Sequence, residues 1–149
     1  MSPDTEARAD VPEPPFRILP RITDRNRFFW TAGAEGELRF LRCRDDGTYV
    51  HPPAPVCPVC LGKRLEPETV SGRATLLTYS INHQAWMPGP ELPYVVAIVG
   101  IDEQEGLRLT TNLVNCPHGR IEIGMRLQVT FEEHDGEVWL PLFEPLREG

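Results

Sequence analysis

The last half of this chain constrains its fold most. Five segments rich in β-branched and aromatic residues, "GRATLLTYSINHQ", "LPYVVAIVGID", "LRLTTNLV", "MRLQVTFEEH" and "EVWLPLFEP", follow one another from residue 72 onward, separated by turn-forming residues. Alternating apolar residues of this kind make half-buried strands. Five strands of such length in about 75 residues fit a small closed Greek-key barrel better than an open sandwich. The barrel is therefore expected over residues 69–147. The segment "WMPGPELP", between the first two strands, reads as a rigid exposed loop. Its Trp86 either lines an entrance or caps the barrel end.

Ahead of the barrel, residues 39–68 alternate turn signals with short apolar pieces and need something other than a core to hold them. "LRCRDDGTYVHPPAPVCPVC" supplies it. Cys57 and Cys60 have the spacing of a metal knuckle, and Cys43 opens what would be a second one. The position where the fourth thiol belongs holds Asp46. A carboxylate ligates zinc at nearly the same range as a nitrogen, so Asp46 is in register as fourth ligand. His51 is the chemically more usual partner, and the alternative stays open. The competing readings are a ribbon that survives without metal and a redox pair, the latter lacking its βαβ context.

Residues 1–21 carry five prolines and little periodicity, the composition of a disordered or extended arm. One helix is expected over residues 22–38, N-capped at Thr23 or Asp24, with Phe28, Phe29 and Leu38 on its apolar side; Gly33 and Gly36 leave its end open. Phe28, Phe29 and Trp30 either pack on the rest of the chain or form a docking surface for another subunit.

The net charge of −7 is unevenly placed: residues 1–75 carry 11 Lys/Arg and 11 Asp/Glu, residues 76–149 carry 4 and 11. Binding a phosphate backbone takes clustered cations, so the acidic barrel argues against an OB-type binder of single-stranded nucleic acid, the rival function considered. The polar, acidic first fifteen residues do not resemble a signal peptide, and no apolar run approaches the ~20 residues that span a bilayer. A cytoplasmic protein, not associated with membrane, is expected.

No nucleophile elbow, zinc-protease helix, phosphate loop or dinucleotide fingerprint occurs, and no catalytic residue is assigned. Cys116 reads as a buried, inert thiol; the alternative is a nucleophile served by His118. His83 and His134 have no suggestive spacing. The carboxylates Asp102, Glu103, Glu132 and Glu133 read as solvated charges at strand ends.

The order "FFW", "LRFLRC", "HPPAPVCPVC", "VSGRATLLTYSINHQ", "LPYVVAIVGID", "TNLV", "IGMRLQVTFEE" resembles the family that joins a rubredoxin-like zinc ribbon to an OB-fold barrel, over residues 22–146. The resemblance implies a mainly β fold and an accessory, non-catalytic subunit accompanying thiolases or lipid-transfer-protein-type aldolases that act on acyl-CoA, including in steroid or other lipid breakdown. It also implies that Cys43, Cys57 and Cys60 match three of four zinc thiolates, with Asp46 departing from the fourth. A CoA molecule at the shared channel would want cations. Arg39, Arg42, Arg44, Lys63, Arg64 and Arg73, on the ribbon and its junction with the barrel, are the ones on offer.

Overall fold

A computed structural model describes residues 17–84 and 92–147. Most of the Trp86 loop and most of the proline arm lie outside the described residues.

The chain builds two β layers in sequence. Strands β1 (Leu38–Cys43), β2 (Tyr49–Val50) and β3 (Leu65–Val70) form a three-stranded antiparallel ribbon in the order β2-β1-β3. Strands β4 (Arg73–Asn82), β5 (Tyr94–Ile101), β6 (Arg108–Leu113), β7 (Arg126–His134) and β8 (Val138–Pro145) close into a barrel in the order β4-β5-β6-β8-β7, with β7 returning to β4. Each barrel strand lies within one of the five segments singled out in the sequence. The fold is mainly β: a zinc-ribbon layer followed by a closed five-stranded OB-fold barrel.

Alternation is what makes the barrel. Val95, Ala97, Val99 and Ile101 of β5 point inward and their neighbours outward, and Leu109 and Leu113 of β6 repeat the pattern. They meet Ala74, Leu76, Leu127 and Phe143 in one apolar cluster. Each large side chain fully buried there contributes about 1.5–3 kcal/mol. A bulge at Leu77 puts one extra residue into β4, which pairs with β5 on both sides of the bulge while Arg73–Thr75 pair with β7 along the other edge. Closure between β6 and β8 is brief, a parallel contact at Leu113 and Phe143. It is reinforced by the buried Thr111 hydroxyl, which donates to the Pro141 carbonyl at 2.8 Å.

The expected helix over residues 22–38 is much shorter. Helix α1 spans Arg27–Thr31 and runs into a 3-10 turn at Ala32–Glu35, after which Leu38 already belongs to β1. Thr23 and Asn26 cap its approach reciprocally: the Thr23 amide donates to Asn26 Oδ1 at 2.7 Å, and the Asn26 amide to Thr23 Oγ1 at 3.3 Å. The break has a packing cause. A Cβ on Gly33 would lie 2.4 Å from Trp139 Cβ and 2.6 Å from Phe131 Cδ1, so the turn sits directly on the β7–β8 hairpin. The chain then reverses at Gly36 in the left-handed region, φ 73°.

Ribbon and barrel are fastened by the β5–β6 turn. Gln104 accepts the Tyr49 amide at 2.8 Å and donates to the Tyr49 carbonyl at 3.0 Å, so its side chain replaces a neighbouring strand along the edge of β2. Glu103 accepts the Ser71 amide at 2.7 Å, beside Gly72, where a Cβ would meet Val129 Cγ1 at 2.6 Å. Asp102 pairs with Arg126. Glu103 thus holds the joint between the layers and Asp102 ties β5 to β7 within the barrel, contrary to their reading as free solvated charges.

At the N-terminal edge, Arg17 pairs with Glu132 and donates to Asn112 Oδ1 at 2.8 Å. His134, buried, shares the same Glu132 oxygen at 2.7 Å. Glu132 is accordingly half-buried rather than solvated, and the described end of the expected arm, residues 17–21, is tied to the barrel at its first residue.

Candidate metal centre

Cys43 ends β1, and the chain turns back so that its amide takes the Thr48 carbonyl at 2.8 Å while its carbonyl takes the Gly47 amide at 2.9 Å. The second knuckle repeats this arrangement: the Cys57 amide donates to the Gly62 carbonyl at 2.9 Å, and the Leu61 amide to the Cys57 carbonyl at 2.9 Å. Gly47 and Leu61 occupy equivalent left-handed positions, φ 79° and 63°. The Gly62 amide donates to Cys60 Sγ at 3.4 Å, and in the same relation the Thr48 amide donates to Asp46 Oδ1 at 2.9 Å. Two six-residue loops of the same hydrogen-bond pattern thus place Asp46 where its counterpart loop places Cys60.

The four groups converge. One donor atom from each of Cys43, Asp46, Cys57 and Cys60 lies within 4.8 Å of all the others. Cys43 Sγ and Cys60 Sγ are 3.6 Å apart, and Cys57 Sγ lies 3.6 Å from Asp46 Oδ2. Ligands at about 2.3 Å for sulfur and 2.0–2.2 Å for oxygen around a tetrahedral zinc are separated by about 3.5–3.8 Å, so the donor set fits the ion in kind and spacing. Cys43 and Cys57 are buried; Asp46 and Cys60 face solvent.

Electrostatics agree with a cation site. The Thr48 amide, with the Cys43 thiol behind it, holds the Asp46 carboxyl at about 2. Hydrogen bonds led by Cys60 favour the Cys57 thiolate. The Gly62 amide favours a Cys60 thiolate, but Cys43, burial, Cys57 and Asp46 outweigh it and push that thiol up to about 12. Crowded anions resist the last deprotonation, and a divalent ion is what relieves them.

His51, the alternative fourth ligand, stands apart from this cluster. Its ring packs against Phe29 and Phe40 with centroids 5.0 Å from each, and burial lowers its pKa. The loop brings His51 to the aromatic side of the ribbon because Phe40 and Phe29 offer it an apolar seat there.

The basic cluster is largely neutralised. Arg39 pairs with Glu35 and Glu37, Arg42 with Glu68 at 2.6 Å, Arg44 with Glu66 and Glu68, and Arg64 with Asp45. Glu68 also accepts the Tyr49 hydroxyl at 2.7 Å, with the Arg42 guanidinium 4.7 Å above the Tyr49 ring. Glu66 and Glu68 come from β3, antiparallel to β1, so their pairing with Arg42 and Arg44 follows from a strand register that composition does not reveal. Among the described residues, Lys63 and Arg73 are exposed and form no ion pair.

The aromatic trio divides. Phe29 is buried in this chain's own core beside Phe40, so it is not a docking residue, whereas Phe28 and Trp30 are half-buried against the same cluster. Cys116 packs partly against the core, and burial raises its thiol; its Sγ donates to the Pro117 carbonyl, and among the described residues it hydrogen-bonds no base. His83 is exposed at the end of β4.

Comparison with known proteins places this geometry. Residues 30–66 match the family model described as the ChsH2 rubredoxin-like zinc ribbon domain, and residues 67–132 match the ChsH2 C-terminal OB-fold domain. The protein chain of a solved structure titled Ltp2-ChsH2(DUF35) aldolase is 37% identical, with a TM-score of 0.77 over 85% of this chain and 98% of that one. This chain belongs to the ChsH2-type DUF35 family. Among the family's other members, a probable enoyl-CoA hydratase alpha subunit of Thermomonospora curvata is 37% identical over 130 residues, 87% of this chain and 40% of that protein. A DUF35 domain-containing scaffold protein of Methanocaldococcus jannaschii is 34% identical over 65% of this chain and 70% of its own length. The 3-oxo-4,17-pregnadiene-20-carboxyl-CoA hydratase alpha subunit of Mycobacterium tuberculosis is 29% identical. The chain spans only 40% and 37% of the two hydratase subunits. Among the described residues, no helix is long and apolar enough to cross a membrane.

Proposed function

We propose that this chain is a non-catalytic accessory module that docks on a thiolase-fold or lipid-transfer-protein-type aldolase acting on acyl-CoA, supports that enzyme, and borders its CoA channel. The observation that carries the reading is the near-complete match, 98% of its length, to the DUF35 chain of an aldolase complex. The chain's own chemistry is consistent with it: its one cluster of reactive groups among the described residues is the Cys43–Asp46–Cys57–Cys60 set, whose geometry suits a structural ion. Substrates in steroid or other lipid degradation are in keeping with the names of the hydratase relatives.

In this reading Cys43, Asp46, Cys57 and Cys60 hold zinc, which supplies the ribbon with the fixed point that a small core does not. Phe28 and Trp30, half-buried, are the part of the trio left to meet a partner. Lys63 and Arg73 are the cations of this cluster left to meet CoA phosphates, because Arg39, Arg42, Arg44 and Arg64 are already paired with carboxylates. The protein works in the cytoplasm, where its thiols stay reduced.

The test is co-expression with a thiolase-fold aldolase subunit from the same source, followed by size-exclusion chromatography and a carbon–carbon cleavage assay on acyl-CoA. Co-elution with increased cleavage supports the proposal. Separate elution with a fully active partner refutes it.

A further inference from the structure

Asp46 is both the hardest donor of its cluster and one of its two solvent-facing members. Thiolates are the softer, tighter ligands for zinc, and two of the three, Cys43 and Cys57, are buried beneath the site. The third, Cys60, is seated by the Gly62 amide. Asp46 is seated in the same way, by the Thr48 amide on Oδ1, and its Oδ2 is the oxygen nearer to Cys57 Sγ, at 3.6 Å against 3.8 Å. Both oxygens therefore lie beside the cluster, Oδ1 also securing the turn and Oδ2 having no backbone partner among the described residues. An incoming ligand from solvent meets Asp46 and Cys60 before it meets either buried sulfur, and of those two the carboxylate is the weaker donor to zinc.

From this arrangement we infer that Asp46 is the displaceable ligand of the ribbon's zinc, so that the ion exchanges with free metal through the Asp46 side. The inference rests on zinc being held at the cluster. It makes the ribbon's order responsive to zinc supply, where a fourth thiolate would make the ion effectively permanent.

The experiment compares three full-length proteins, the native chain, Asp46→Asn and Asp46→Cys, each purified with zinc. Metal content is measured first, then the rate of zinc release into excess EDTA, then the absorption of the cobalt(II) form. Asp46→Asn is the deciding variant, because its amide oxygen still accepts the Thr48 N–H and preserves the turn while offering zinc a much poorer donor. The expected order of release is Asp46→Asn fastest, native intermediate, and Asp46→Cys slower than native by about tenfold or more. In the cobalt form the sulfur-to-metal charge-transfer band strengthens in Asp46→Cys and holds its intensity in Asp46→Asn.

Equal release from native and Asp46→Cys overturns the inference, as does an Asp46→Asn rate equal to native. If Asp46→Asn fails to fold, the native and Asp46→Cys rates decide alone. A native protein that binds no zinc defeats the inference together with the zinc reading it rests on, and metal content separates that failure from a failure of exchange. Neither result bears on docking to an aldolase.

Discussion

Replacing Gln104 with alanine should loosen the ribbon's hold on the barrel without removing any side chain from the apolar core that the two layers share. Its side chain makes two hydrogen bonds to the backbone of Tyr49, at 2.8 and 3.0 Å, and Tyr49 is buried. A typical net contribution is about 0.5–1.5 kcal/mol per hydrogen bond, and a buried partner left unpaired costs about 1–3 kcal/mol. Water can reach the edge of β2 once the side chain is gone, so the lower part of the range applies and the expected loss is about 2 kcal/mol. For a chain of this size that lowers Tm by about 4–8 °C. Urea denaturation and differential scanning calorimetry of the zinc-loaded protein measure it. Gln104→Glu is the informative companion: a carboxylate still accepts the Tyr49 amide but faces the Tyr49 carbonyl with no proton to give, so it should recover little of the loss. A Gln104→Ala protein within about 0.5 kcal/mol of native, the range of an ordinary surface change, would refute the idea that this side chain joins the layers.

Gly33→Ala should be more damaging than its size suggests, because the new methyl meets Trp139 Cβ at 2.4 Å; a loss of about 1–3 kcal/mol by urea denaturation is expected, against under about 0.5 kcal/mol for Ala34→Ser on the exposed side of the same turn. Cys57→Ser should lose zinc, measured by elemental analysis, whereas Cys116→Ser should keep its full complement. The hydrogen bonds from Arg126 hold the Asp102 carboxyl below its ordinary value. Its contribution is therefore complete above the unfolded carboxylate value of about 3.9 and is lost as pH falls through the lower folded value. Asp102→Asn should flatten the acid limb of the stability curve below about pH 4, by no more than about 1 kcal/mol since both partners are partly exposed.

The barrel was legible because inward and outward residues alternate along β5 and β6 and the first residues of β4, and because all five strands are rich in β-branched and aromatic residues, signals that survive without knowledge of partners. The knuckles were legible for a similar reason, since C-x-x-C and C-x-x-D are local. What the sequence hid was long-range. The helix was read too long because the need for Gly33 arises on Trp139 and Phe131, more than ninety residues away. His51 remained open as a ligand until Phe29 and Phe40 were seen to surround it. The arginines of "LRFLRCR" looked available until β1 and β3 were paired in register, which sets Glu66 and Glu68 of "LEPETV" against Arg42 and Arg44. That signal was present as opposite charges on two short strands, and aligning the strands antiparallel would have exposed it. Glu132 was misjudged because one of its partners, Arg17, comes from the N-terminal segment 115 residues away, and the other, His134, is two residues along its own strand.

The central claim is that this family member acts by attachment to a larger acyl-CoA enzyme, and it is tested most directly by measuring the aldolase partner's turnover with and without this chain. Stable association, with turnover that depends on the chain and survives mutation of Cys116 and His118, is the predicted result. Full turnover by the partner alone, with no association by analytical ultracentrifugation at micromolar concentration, would contradict it.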